Sequence, residues 1–347
     1  MLIRDVNLGD PPTVVEAQAA GAYELLIELS VLSGGRGSAG FREALARVGD
    51  RSGEVWLHLL GLATEVPAPG DAGALLARLE VTDPLELRRH LLGADVPAWR
   101  RLEGGWAEVI DAGAAGDPTA QARLLDHPRY YGGAARQALS VLLPLDPAET
   151  RRRLLEVLAR WYEESFAARE PGLVETLATD ARATAELAAT VPPARLIELV
   201  CGGFAYEPEP ECPRVLLVPH LAARPWLLLC QHRDTRIICH PARDRDGDER
   251  AATAEKLLAL GRALGDEQRQ RILAALRGGP RELEELAAAV GLSRSTVHHH
   301  LGLLRAAGLV RLAGNARRYR YGLRPEAVGE ATALLATLLT APGEEPS

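Results

Sequence analysis

Residues 282–311, "ELEELAAAVGLSRSTVHHHLGLLRAAGLVR", constrain the fold more than any other stretch of this chain. Two runs of helical apolar periodicity meet at Gly291, where a tight turn needs a residue without a side chain, and Ser293 is placed to cap the second run. Ala287 is small where the two helices must cross closely. Leu286, Val290, Leu292, Val297, Leu301 and Leu304 supply apolar positions at the offsets that let the helices share a core. A small crossing residue, a glycine turn and this spacing are the requirements of a helix-turn-helix.

The flanks complete a small domain over 251–341. A helix is expected at 253–264. Asp266 is a natural N-cap for the next, "EQRQRILAALRGG", in which Ile272, Leu273 and Leu276 face inward and Gly278–Gly279 stop the helix. "LVRLAGNARRYRYGL" reads as two alternating runs turning at Gly314–Asn315, a β-hairpin wing. The last helix, about 326–340, puts Ala331, Leu334, Leu335 and Leu338 on one stripe. That stripe is too apolar to face water, so a second subunit is expected to cover it.

The whole chain carries 47 acidic and 40 basic side chains, a net charge of −7, which by itself argues against nucleic acid. The distribution argues the other way. Residues 286–324 hold seven arginines and no acid, so this segment is +7 and the remainder is −14. A local basic patch is the electrostatic footprint of phosphate binding.

On these residues, 255–323 resemble the winged helix-turn-helix of the arsenic-repressor (ArsR/SmtB) family of bacterial transcription regulators. The resemblance implies a homodimer joined through the first and last helices of the domain, and repression of transcription relieved by a ligand. It also implies that the first turns of the second helix-turn-helix helix enter the major groove of double-stranded operator DNA. There serine and threonine donate to bases or phosphates and arginine pairs with guanine. Arg294, Ser295, Thr296, His298 and His299 are the expected groove contacts, and Arg317, Arg318 and Arg320 the wing contacts; Tyr321 matches the family's buried wing tyrosine. The Cys-x-Cys that the family's metal sensors often carry is missing from "ELEELAAA", and the last helix has no histidine, so metal sensing at the usual positions is not expected.

The triplet His298–His300 raises the question of a metal directly. Successive helical residues point ~100° apart, so three in a row cannot converge on one ion. His300 shares the side of Val297, Leu301 and Leu304 and is expected to pack.

Residues 1–244 read as an effector or dimerisation domain of successive helices with a short β-meander near 212–240, built from "RVLLVPH", "PWLLLCQ" and "TRIICHP". The fold class is therefore mainly α with small β elements. A short strand is expected at 2–7, and the clearest helix at 147–168, with Leu154, Leu158 and Trp161 on one face. Segments 22–33 and 214–241 loosely resemble the N-terminal region fused to some actinobacterial-type members of the family. All five tryptophans precede residue 242, and they mark either the core or the walls of a pocket for an unknown small-molecule effector.

Cys212, His220, Cys230, His232, Cys239 and His240 form the other notable cluster, and Cys230 and His232 share a strand face at ligand-pair spacing. Buried cysteine is common in strands, so no metal is assigned. A purely architectural or protein-interaction role is the alternative for this region. No G-x-S-x-G, H-E-x-x-H or G-x-G-x-x-G motif occurs, and neither an enzyme nor a cofactor is expected. With no apolar run of ~20 residues and no signal-peptide pattern at the start, a cytoplasmic protein without a membrane partner is the expectation.

Overall fold

The computed structural model describes residues 14–32, 36–49, 53–66, 70–97, 105–127, 133–243, 249–315 and 318–340. The strand expected at 2–7, Trp99 and Arg317 lie outside them. In chain order the elements begin with β1 (Val14–Ala17), α1 (Gly21–Val31), α2 (Ala39–Ala46), α3 (Gly53–Leu57), α4 (Leu60–Ala63), α5 (Ala72–Val81) and α6 (Pro84–Leu91). There follow α7 (Trp106–Ala115), α8 (Pro118–Asp126), α9 (Gly133–Leu142), α10 (Pro147–Trp161), α11 (Glu170–Ala188), α12 (Pro193–Val200), β2 (Phe204–Tyr206), β3 (Arg214–His220), β4 (Leu228–His232) and β5 (Thr235–Pro241). The last are α13 (Glu249–Leu264), α14 (Glu267–Leu276), α15 (Leu283–Val290), α16 (Arg294–Ala306), β6 (Val310–Asn315), β7 (Arg318–Leu323) and α17 (Ala327–Thr340). No helix among the described residues is long and apolar enough to cross a membrane.

The chain divides into two compact units. One comprises residues 1–185 with 210–242, the other 186–209 with 243–347. This differs from the single break expected between 244 and 251, because the chain enters the second unit once before its C-terminal part.

In the first unit α1 is apolar nearly all round, and Ala22 to Ile27 are buried without a break, as a helix surrounded by core must be. Trp56 of α3 and Leu154, Val157 and Leu158 of α10 pack into the same core. A second cluster gathers Trp106, Val109, Ile110, Leu124, Leu139 and Leu143. The helix expected at 147–168 ends at Trp161, and a π-helical turn, Tyr162–Phe166, follows it and brings Phe166 inside. Trp56, Trp106 and Trp161 are core residues, and Trp161 lies 4.7 Å from the Phe41 ring.

The three expected strands form, but not as a meander. The sheet order is β1-β3-β5-β4, with β1, β3 and β5 parallel and only β4 antiparallel to its neighbour. Burial explains the difference. From Arg236 to His240 every residue of β5 is buried, so both faces are covered and the strand belongs inside a sheet. β4 is half-buried along most of its length and takes the edge.

The second unit holds the helix-turn-helix. Asp266 caps α14 by accepting from the Arg269 N–H at 2.9 Å. Ile272 and Leu276 are buried and Leu273 is half-buried. The wing strands β6 and β7 pair antiparallel, but Gly314 opposes Tyr319 and Asn315 opposes Arg318, so the expected turn residues are strand positions. Gly314 is instead a strand position with φ +132°, where a side chain would collide with the Arg318 carbonyl. β2 adds a third, parallel strand beside β6, opposing Leu312, Ala313 and Gly314.

Candidate nucleic-acid interface

Gly291 closes α15 in the left-handed conformation (φ 69°, ψ 33°), a cost that only glycine escapes. The chain then re-enters a helix at Ser293, whose hydroxyl accepts from the Thr296 N–H at 3.2 Å. Val297, Leu301 and Leu304 are buried, and so are Leu286, Ala287 and Val290 of α15. That burial fixes which face of α16 turns outward.

The outward face carries Arg294, Ser295, Thr296, His298 and His299, all exposed. The Ser293 hydroxyl lies 2.9 Å from that of Ser295 and 2.8 Å from that of Thr296, so three hydroxyls cluster at the helix start. The first-turn N–H groups of any helix attract anions, and hydroxyls there extend that donor set. Partial desolvation, with the Arg305 and His299 charges, holds His298 below the ordinary histidine range. His300 is half-buried, with Arg269 Nη1 donating toward its Nδ1 at 3.5 Å, in line with a packing role.

On the wing, alternation places Arg318 and Arg320 on the exposed side, with Tyr321 buried and Tyr319 half-buried opposite. Two of the outward arginines meet acids. Arg294 pairs with Glu284 at 2.6 Å, and Arg318 pairs with Glu282. Both acids lie at the start of the helix-turn-helix, and each pair is solvent-exposed on the arginine side. Exposed pairs contribute little, ~0–1 kcal/mol, so a phosphate can displace the acid at small cost.

Residues 193–206 are what sequence reasoning missed in this unit. α12 and β2 pack together, and Arg305 of α16 donates from Nη1 to the Cys201 carbonyl at 3.3 Å. The signal was present in "PARLIELVCGGFAY": an amphipathic helix, two glycines with positive φ at 202 and 203, and an aromatic strand.

On α17, Ala331 and Leu334 are half-buried and Leu335 is 47% exposed; the side chain of Leu338 lies outside the described residues. Val328 on the same helix and Leu258 on α13 are 75% and 60% exposed. The first and last helices of the domain pack on each other and still show apolar side chains to solvent.

The Cys212–His240 cluster does not assemble. Cys212, His220, Cys239 and His240 are buried, and His220 Nε2 lies 3.0 Å from the Trp226 carbonyl. Burial pushes the Cys230 thiol up to about 12, far from thiolate chemistry. Among the described residues, no three of the six bring ligand atoms within 4.8 Å of one another; only His232 enters such a group, with residues outside the cluster.

Residues 266–311 match the family described as bacterial regulatory protein, arsR family. The HTH-type transcriptional regulator YgaV of Escherichia coli is 38% identical over 88 residues, which are 25% of this chain and 86% of that protein. The chain belongs to the arsR family. The HTH-type transcriptional regulator CmtR of Mycobacterium tuberculosis is 49% identical over 67 residues, 19% of this chain. The chain spans little more than half of that relative, 57% of its length. A solution structure of a homodimeric winged helix-turn-helix DNA-binding domain from Mycobacterium bovis aligns with 30% of this chain and 99% of that one, at 26% identity and a TM-score of 0.23. The residues matched to the family, 266–311, cover the helix-turn-helix of the second unit.

Proposed function

We propose that this chain is a homodimeric repressor that binds a pseudo-palindromic operator, with α16 in the major groove and the 309–323 wing on the flanking backbone. Arg294, Ser295, Thr296, His298 and His299 contact bases and nearby phosphates. Arg318 and Arg320, with Arg317, contact phosphate or the minor groove. The observation that carries this reading is the shared exposure of these side chains on α16 and β7, in a segment of charge +7 within a chain of −7.

The dimer forms through α13 and α17, by covering Ala331, Leu334, Leu335 and Leu338 together with Val328 and Leu258. The first unit modulates DNA binding as an effector region. Footprinting of the DNA upstream of its own gene tests the proposal. Two protected half-sites one or two helical turns apart are expected; no protection at low salt by a folded dimer contradicts it.

A further inference from the structure

The first unit contains a ligand cluster that no motif in the sequence announces. His90 lies in the last turn of α6, Asp95 follows five residues later, and His232 ends β4. One ligand atom from each lies within 4.8 Å of the other two. Both imidazoles are buried, at 8% and 7% exposure, whereas the Asp95 side chain is 28% exposed. The cluster therefore has a dry back and a wet front. The front opens on a cleft of about 400 Å³ lined by Asp83, Glu86, Asp95 and Arg233 among others.

Two features hold the segments together independently of the side chains. The β4–β5 hairpin turns at Arg233 in the left-handed conformation (φ 50°), and its N–H donates to the Asp95 carbonyl at 2.8 Å. This clamps the turn carrying His232 onto the loop carrying Asp95. Gly61 of α4 clears the space for the imidazole, since a methyl group there would collide with His232 Nδ1. Each ring also meets a carboxylate. His90 Nδ1 pairs with Asp95, and His232 Nε2 lies 3.2 Å from Glu65 Oε1. Glu65 is anchored in turn by Arg78 at 3.0 Å and Arg233 at 2.7 Å.

We propose that His90, Asp95 and His232 bind one divalent first-row transition-metal ion, zinc by preference, with Glu65 or a water completing the shell. Two imidazoles and a carboxylate are a donor set that suits such ions. Zinc holds nitrogen and oxygen donors at ~2.0–2.2 Å, which places them roughly 3.3 Å apart. The cluster must contract by at most about 1.5 Å, within reach of side-chain rotation. Binding requires neutral imidazole and ionised carboxylate. Burial works against the Asp95 anion, but the hydrogen bond from His90 and the charges of His90, His232 and Arg233 together outweigh it and keep the carboxyl below its usual range. Burial likewise lowers His232, against the pull of Asp95. Arg233 and the ion would share Glu65, and the arginine is exposed enough to swing away.

The site draws nothing from the Cys212–Cys239 thiols and stands whether or not the second unit binds DNA. Titration of the untagged full-length chain with Zn²⁺ by calorimetry tests it. One ion per chain with a Kd of about 1 µM or tighter is expected. His90→Gln and Asp95→Asn should each weaken binding by ~100-fold or more, with an unchanged circular dichroism spectrum, while Cys230→Ser binds as the wild type does. Asp95→Asn keeps the side chain's shape at a half-exposed position, so a folding defect in the histidine variant leaves a second reading. With Co²⁺ as probe, the visible absorption should appear without a thiolate charge-transfer band. No stoichiometric binding, undiminished binding by both variants, or a thiolate band overturns the proposal.

Discussion

Of the polar and charged side chains buried among the described residues, all but Glu209 belong to the first unit. It takes Glu24, Arg88, His90, Glu170, Asp180, His220, His232, Arg236 and His240 inside. The second unit fills its core with Ile272, Leu276, Leu286, Val297, Leu301 and Leu304 and turns Arg294, Arg318 and Arg320 outward. The contrast teaches where each unit spends its polar groups. A buried polar group must be satisfied by specific partners, so it fixes local geometry at a risk to stability. An exposed one contributes little to stability and stays available to a partner outside.

The largest expected effect tests the buried side of this contrast. Arg88 donates to the carbonyls of Leu145 at 2.6 Å, Leu143 at 2.9 Å and Gly113 at 3.4 Å, tying α6 to the segment after α9. Arg88→Ala removes these donors and opens a cavity, and should destabilise the first unit by about 3–5 kcal/mol. All five tryptophans belong to the first unit, so urea unfolding followed by tryptophan emission reports this loss alone. A loss below ~1 kcal/mol would break the contrast, because the buried guanidinium would then hold nothing.

Next in size is acid sensitivity. His58 Nδ1 donates to the Leu91 carbonyl at 3.0 Å, and burial lowers its pKa from 6.5 to about 4 despite that bond. The unfolded chain therefore takes up this proton first as the pH falls. His58 costs the fold stability progressively between pH 6.5 and 4, up to roughly 3 kcal/mol at 1.36 per unit, and nothing further below. Burial raises Glu24 and Glu170, which pull the other way. Comparing wild type with His58→Gln from pH 7 to 4 isolates the imidazole, and the variant should show the shallower decline.

The same contrast explains what the sequence made legible. The helix-turn-helix could be read because Gly291, Ser293 and the leucine spacing are local requirements, each visible within a few residues. The outward residues of α16 were named from the apolar spacing together with the family resemblance, whereas on β7 the alternation alone did not say which face turns outward. The wing turn was misplaced because Gly314 satisfies a close backbone approach within the strand, not a turn. The order β1-β3-β5-β4 was hidden because β1 and β3 are paired across 200 residues, and no local pattern records that. His90 and Asp95 were missed, and His232 was grouped with Cys230 instead, for the same reason. Only the fold brings α6 and the β4–β5 turn together, and the spacing within β4 pointed to a different partner.

Two smaller effects sharpen the outward side. Val328→Glu with Leu335→Glu should give monomers in sedimentation, since covering an apolar side chain in the dimer contributes ~1.5–3 kcal/mol at most. A double variant that stays dimeric moves the interface away from α17. Smallest of all, Glu284→Gln frees Arg294 from its exposed partner and should tighten DNA binding by a few-fold at low salt, at most about 1 kcal/mol. Unchanged or weaker binding means that Arg294 does not meet DNA.

The most direct test of the outward-facing helix is the ratio of affinities for the upstream duplex and for random DNA, measured with wild type and Arg294→Ala at one fixed salt concentration. The account predicts that wild type prefers its own site by ~10³-fold or more. Arg294→Ala should lose ~1–3 kcal/mol of that preference, while its affinity for random DNA falls far less. Equal wild-type affinity for both duplexes, or an Arg294→Ala loss that is the same on each, contradicts it.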